Sequence, residues 1–507
     1  VSLTLALTDQ DQLTLRTAAW GAVSLMSAAG AAGSAHKAAA ESSLALTSAT
    51  GLVGHVLAKA PKGVKYGKTV AELADQVLPA LNASMSLLRK QAPAEADNFR
   101  RTVLVAVEAA THGRPSPTMT EMARKISAAL DAAPATPEVS AANTAAEQDR
   151  PELQKAMQAF VDSGMAAGMQ LRVNDERGEW VGTAGVRELG SSEKPPADGR
   201  FRIGSSTKTF VATVVLQLVA EGKIGLDSPV DGYLPEFALD GRITVRMLLQ
   251  HTSGIFNHTG EYYEDGTFAP GIAWSGKEWV DGRFRTYHPE ELVRLALAKS
   301  VRFEPGTDWS YSNTNYVLAR LLIERVTGRS FAEELQRLIL GPLGMTGTEA
   351  PGTSTEIAGP HAHSYYRYED GGREHTVDVT SQNPSWISAG GDMISTTQDL
   401  HTFFSALNGG RLLPTELLAE MRRPDPKIGY GLGIFEQDLG ENGGTIYHHN
   451  GGMAGSAALM YSTPDGGKTL TASVTYVDDA GLSKAAAFQQ ATQRLIDEVF
   501  RDGRTTS

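Results

Sequence analysis

Gly204-Ser205-Ser206-Thr207-Lys208 is the stretch on which the reading of this chain turns. It follows the apolar run Phe201-Arg202-Ile203 and leads into Thr209–Glu221, where apolar residues recur at helical spacing. A helix starting here puts Ser205 and Lys208 on one face, because residues i and i+3 are neighbours there. An amine so placed can take the serine proton if burial or a nearby positive charge lowers its pKa. Alone the pattern is short. A helix-capping serine followed by a solvated lysine would read the same way.

Two further motifs follow in chain order. Tyr311-Ser312-Asn313 comes after Glu304-Pro305-Gly306. A phenol can relay a proton to a leaving group, and a carboxamide can hold a substrate amide. His449-Asn450-Gly451-Gly452 ends an expected strand, and its glycines would let an extended substrate lie close. The backbone N–H of Gly452, with that of Ser205, would make an oxyanion hole. The candidate catalytic residues are therefore Ser205, Lys208, Tyr311 and His449. Asn313, Asn450, Gly451 and Gly452 are candidates for substrate binding.

The order S-x-x-K, Y-x-N, H-x-G resembles that of the penicillin-recognising serine enzymes: DD-peptidases, class C β-lactamases and related esterases. Leu248–Gly254, Tyr311–Tyr316, Ser388–Asp392 and Gly429–Gly433 are similar to that family as well. Within it the chain is most similar to the Streptomyces-type D-alanyl-D-alanine carboxypeptidases, over about Pro151 to Arg501. The resemblance implies Ser205 as nucleophile, Lys208 as its base partner and Tyr311 as general acid/base. It implies that Asn313 contacts the acyl side chain, that His449 replaces the usual lysine of the third motif, and that Trp386 lines the cleft. His448 competes for the third-motif role, and the family spacing of the glycines favours His449. His258-Thr259-Gly260 also spells that motif, but it precedes the tyrosine motif and reads as a polar loop.

Two departures bear on substrate. The carboxypeptidases carry arginine directly after the stretch matching Gly429–Ile434, where this chain has Phe435; they read H-T-G where this chain reads H-N-G. In them the arginine and threonine bind the substrate's free carboxylate. Phenylalanine cannot form charge-assisted hydrogen bonds to a carboxylate, so Phe435 marks a changed substrate-binding position.

Composition frames the rest. The chain has 507 residues, 41% hydrophobic and 21% charged, with net charge −12 and no cysteine. The acidic balance argues against a nucleic-acid partner, and the missing thiols exclude disulfides and zinc–thiolate sites. No cofactor or metal is expected; His361 and His363 lack a third ligand and read as a surface loop. The uncharged run Ala18–Ala32 is preceded by Asp9 and Asp11, which suits a buried helix better than a signal peptide, and no integral membrane segment is expected. If Val1 is a start codon the expected location is cytoplasmic; otherwise Val1 opens a secreted mature form.

Residues 1–132 read as a separate all-helical bundle, with helices over Gln10–Ala29, Lys37–Leu57, Thr69–Leu88, Asp97–Ala110 and Thr118–Ala132. It carries no catalytic constellation, and contact with a partner protein or a second copy is its expected use. A linker is expected over 133–150. Residues 151–507 read as an α+β unit. A helix over Pro151–Gly164 precedes strands at Met169–Val173 and Trp180–Val186. Helices dominate from Thr207 to Leu343, and strands return at Gly429–Phe435, Thr445–His449, Ala457–Ser462 and Thr469–Val477. A last helix spans Leu482–Arg501. That order suggests an antiparallel sheet flanked by helices, with an all-helical subdomain.

The function expected is acyl transfer from a peptide amide or an ester to Ser205, then to water or an amine. One alternative is an esterase, amidase or transacylase for substrates without a free carboxylate. A second, of another class, is a catalytically silent ligand sensor.

Overall fold

A computed structural model describes residues 9–29, 46, 53, 56–57, 70–91, 93–111, 117–131, 150–263, 265–440, 443–476 and 485–501. The chain divides into two compact units, 1–145 and 146–507.

In the first unit, helices α1 (Asp9–Ala29), α2 (Val70–Gln91), α3 (Pro93–Thr111) and α4 (Pro117–Asp131) share a core that includes Leu15, Leu25, Leu81, Phe99, Val103 and Ile126. The alanine-rich run buries Ala18, Ala19 and Ala22 inside α1. The helix expected over Lys37–Leu57 lies outside the described residues apart from isolated positions, and so does the linker apart from Arg150. No described helix is long and apolar enough to cross a membrane.

Arg150 belongs to the second unit and not to a linker. It is buried, and its guanidinium donates to both carboxylate oxygens of Asp175 at 2.8 and 2.6 Å. A buried charge requires such pairing. It fixes the start of α5 (Pro151–Asp162) against the first strand.

The second unit is built on a seven-stranded antiparallel sheet. Its strands are β1 (Ala166–Asp175), β2 (Gly178–Gly185), β3 (Phe435–Asp438), β4 (Thr445–His448), β5 (Gly451–Met453), β6 (Ser456–Ser462) and β7 (Thr469–Tyr476). The spatial order is β2-β1-β7-β6-β4-β3, with β5 also pairing to β6. The first and last strands of this unit therefore meet inside the sheet, where β1 pairs with β7 from Ala166↔Tyr476 to Asn174↔Thr469.

Both faces are covered. On one, Leu153, Met157 and Phe160 of α5 and Leu495, Ile496 and Val499 of the last helix (Ala485–Phe500) pack on Leu171, Val173, Leu459 and Val474. On the other lie α6 (Thr207–Ala220), α7 (Asn313–Thr327) and α8 (Thr397–Asn408). Helix α6 is buried almost all round; Val211, Val214, Val215 and Leu218 are enclosed, and Phe210 stacks on Phe403 at 3.7 Å. A helix apolar on every side must be a central one. Each such buried side chain contributes about 1.5–3 kcal/mol, so the helix that carries Lys208 and follows Ser205 is firmly held.

Several expectations shift. Gly429–Phe435 is not a strand: Gly429 and Gly433 have φ of 73° and 74°, and β3 begins only at Phe435. The reason is packing, because a Cβ on Gly433 would lie 2.6 Å from that of Ala212 and 3.0 Å from the Lys208 carbonyl. The stretch is a turn pressed against α6. Strands Tyr365–Asp370 and Arg373–Asp378, and helices α8 and Thr415–Arg422, are additional elements.

Candidate active site

Ser205 sits in the single 3₁₀ turn Gly204–Ser206 that opens α6. It is partly exposed, whereas Ser206, Thr207 and Lys208 are fully buried. The turn is locked to the third motif, because the Ser206 hydroxyl donates to the His449 carbonyl at 2.7 Å. Thr209 donates to the Gly433 carbonyl at 2.7 Å, which anchors the next residues.

Lys208 Nζ lies 3.2 Å from Ser205 Oγ, 2.7 Å from Asn313 Oδ1 and 2.5 Å from the Gly390 carbonyl. No carboxylate faces it in this set. Burial holds its pKa well below the usual lysine range. A neutral amine has two hydrogens and one lone pair. In that form, with the two carbonyl oxygens taking the hydrogens, the lone pair would face the Ser205 hydroxyl.

Tyr311 hydrogen-bonds Ser205, and Lys208 Nζ stands 4.7 Å from its ring centroid. Desolvation pushes the phenol above its ordinary pKa, so it keeps its proton at neutral pH. Asn313 is engaged at both ends of its carboxamide: Oδ1 accepts from Lys208, and Nδ2 donates to Thr259 Oγ1 at 3.2 Å. His449 is buried, with Nε2 3.2 Å from the Tyr430 hydroxyl. Burial, with Lys208 nearby, lowers its pKa to about 3, so the imidazole is uncharged.

The glycines of the third motif make a close approach. A Cβ on Gly451 would lie 1.8 Å from the Ile203 carbonyl and 2.7 Å from the Ser205 nitrogen; one on Gly204 would lie 2.6 Å from the Gly452 nitrogen. Gly452 itself is exposed, with open space on its Cβ side. Gly451→Ala must therefore push β5 away from Ser205. We predict a fall in kcat of roughly 100-fold, the scale expected of a displacement near 1 Å, measured beside a Tm that shows the chain still folded.

The remaining expected site residues are placed as follows. Asn450 turns its side chain away from Ser205: Nδ2 donates to the Tyr461 hydroxyl at 2.5 Å, and Oδ1 accepts from the Met460 nitrogen. Phe435 stands at the same register as His448 and Tyr461, and the three rings form a ladder across β3, β4 and β6. Its edge meets Tyr430 at 4.5 Å and His449 at 5.4 Å between centroids, so hydrocarbon adjoins the third motif. Trp386 is buried with Ile387 and Met453, and it lines a cavity of about 230 Å³ with Ile272, Trp279, Arg283, Arg285 and Tyr287.

The His258-Thr259-Gly260 loop is polar but its His258 and Thr259 side chains are buried. His258 is buried, its ring facing Thr314 Oγ1 and the Trp386 carbonyl, and Thr259 takes the Asn313 amide. His363 pairs with Asp378 at 2.7 Å. Three contributors to the site carried no sequence assignment: the Gly390 carbonyl, Thr259 and His251. Gly390 and His251 lie in stretches that already resembled the family; nothing in the sequence indicates what Thr259 contacts.

Residues 153–491 match the family model described as Beta-lactamase. The chain belongs to the beta-lactamase family. With it comes the fold of the penicillin-recognising serine hydrolases, an antiparallel sheet flanked by helices. Among solved structures, a D-stereospecific amidohydrolase from Streptomyces sp. is 37% identical, with TM-score 0.60; the match covers 71% of this chain and all of that one. Penicillin-binding protein 4* of Bacillus subtilis is 27% identical over 56% of this chain and 63% of its own length. Esterase EstB of Burkholderia gladioli is 35% identical over 29% of this chain and 38% of its own. The chain thus spans less than two thirds of these two curated beta-lactamase-family relatives.

Proposed function

We propose that residues 146–507 form a serine acyl-enzyme hydrolase for amides or esters that lack a free carboxylate beside the scissile bond. In this reading neutral Lys208 takes the Ser205 proton as Oγ attacks the carbonyl carbon. The backbone N–H groups of Ser205 and Gly452 hold the oxyanion. Tyr311 gives its proton to the leaving nitrogen or oxygen, and the Lys208 ammonium restores it. The acyl group then rests on Ser205 until water or an amine removes it.

The observation that carries the substrate class is the charge state of the site. Lys208 and His251 are held below their usual pKa, His449 at about 3 and His258 at about 4, while Tyr311 is held above its own. The three histidines are therefore uncharged at neutral pH, Tyr311 keeps its proton, and burial biases Lys208 towards its neutral form. Phe435 adds a ring where a carboxylate-binding enzyme needs a guanidinium. A free carboxylate beside Phe435 would lose its hydration and find no guanidinium there; Arg283 and Arg285 line the cavity at Trp386. The amidohydrolase and esterase among the relatives accord with this reading.

The test compares D-amino-acid amides or methyl esters with the matching peptides that end in a free carboxylate. We predict kcat/KM higher for the uncharged series by roughly 100-fold, and a gap narrowed by roughly 10-fold or more in Phe435→Arg. Equal turnover of both series by the unaltered chain would refute the substrate class.

A further inference from the structure

We infer that His251 is a positioning residue that aims the Tyr311 phenol at the leaving group, through an unprotonated Nδ1. The inference rests on the reading of Tyr311 as the proton donor. His251 closes the short helix Val245–Gln250 in the left-handed region, with φ of 64° and ψ of 32°. Residues other than glycine adopt that region rarely, with asparagine, aspartate and histidine among those that tolerate it best. The conformation sets both of its acceptors against the segment carrying Tyr311. Its carbonyl accepts from the Ser310 nitrogen at 3.1 Å, and its Nδ1 accepts from the Ser312 nitrogen at 3.2 Å. The backbone N–H groups on either side of Tyr311 are thus tied to one residue.

The ring completes the clamp. It lies 4.3 Å from the Tyr311 ring and 5.1 Å from that of Tyr430 between centroids. Asn315 Nδ2 also approaches Nδ1 at 3.2 Å, and its orientation is set by Ser253, whose hydroxyl donates to Asn315 Oδ1 at 2.7 Å. A nitrogen that accepts from a backbone N–H cannot carry a proton. The hydrogen of the neutral ring therefore sits on Nε2, which is buried without a hydrogen-bond partner. Pure packing would not require a histidine here; a ring with one bare nitrogen at this position does. Gly254, two residues after Thr252, keeps the loop in place with φ of 75°, where a Cβ would meet the Phe303 carbonyl at 2.1 Å.

The test uses two substrates with one acyl group, a p-nitrophenyl ester and an amide of the same D-amino acid. The amine must be protonated to leave, whereas p-nitrophenolate leaves without a proton. Tyr311→Phe is predicted to depress amide turnover at least roughly 30-fold more than ester turnover, a selective loss of general acid catalysis. His251→Phe keeps a ring but removes the acceptor, and is predicted to show the same selective loss in kcat with little change in KM. His251→Asn retains an acceptor and fits the left-handed backbone, so it restores most of the amide-to-ester ratio. Equal loss on both substrates in His251→Phe would make His251 structural only and overturn the inference. If Tyr311→Phe itself shows no amide-selective loss, the Tyr311 reading falls first, and the two failures are distinguishable. Should His251→Phe not fold, ¹⁵N NMR of histidine-labelled, unaltered chain decides. A bare, pyridine-type Nδ1 at His251 is the expected result, and a protonated Nδ1 overturns the inference.

Discussion

Ser205→Ala is expected to lower kcat by roughly 10⁶-fold, the scale seen when a serine nucleophile is removed from a comparable unit. The loss falls on chemistry and not on folding. Ser205 is partly exposed, and the neighbouring Ser206 hydroxyl, which bonds the His449 carbonyl, remains to hold the turn. Deleting one exposed hydroxyl leaves no cavity in the core, so Tm should move by no more than a few degrees. Substrate binding should survive, because Gly452 and the cleft walls are untouched. Residual kcat within 10-fold of the unaltered chain would mean that another group attacks the substrate.

Lys208→Met carries the second large effect, a fall in kcat of roughly 10⁴-fold. Methionine fills the space of the lysine stem but offers no lone pair to the Ser205 hydroxyl. The pH dependence has a definite sign. The amine works only when neutral, so turnover is present above its lowered pKa and is lost as pH falls through it. That acid limb should be absent from the residual rate of Lys208→Met. Stability follows from the same shift. The unfolded chain binds a proton on this lysine below its ordinary pKa of 10.5 while the native site resists it, so Lys208 costs stability below that pH, and the cost shrinks as pH rises towards it. Methionine removes the cost but leaves Asn313 Oδ1 and the Gly390 carbonyl without their donor. Little net change in Tm at neutral pH is therefore expected, with a flatter dependence on pH. Unfolding of the variant would contradict the account of Lys208 as a catalytic group held at a cost.

Much of this was legible in the sequence, and the parts that were not have physical causes. The period of α6 and the three-residue step from Ser205 to Lys208 are local properties, so a local reading finds them. The alternation along β7, Thr469-Leu470-Thr471-Ala472-Ser473-Val474-Thr475, is equally local. The partners of Lys208 are not. Gly390 and Asn313 lie 182 and 105 positions away, and only the packing of α6 against α7 and against the turn Ser388–Gly390 brings them together. Backbone sign is invisible too: Gly429 and Gly433 looked like strand residues because the apolar residues between them masked two left-handed turns. Asn450 was grouped with its neighbours by motif, whereas its side chain is held by the Tyr461 hydroxyl and the Met460 nitrogen.

The central claim is that Ser205 becomes acylated. Intact-protein mass after rapid quenching of a reaction with the p-nitrophenyl ester of a D-amino acid, followed by peptide mapping, tests it most directly. The account predicts one adduct of the acyl mass, located on Ser205 and absent from Ser205→Ala. Turnover with no adduct at any quench time, or an adduct that maps to another residue, would contradict it.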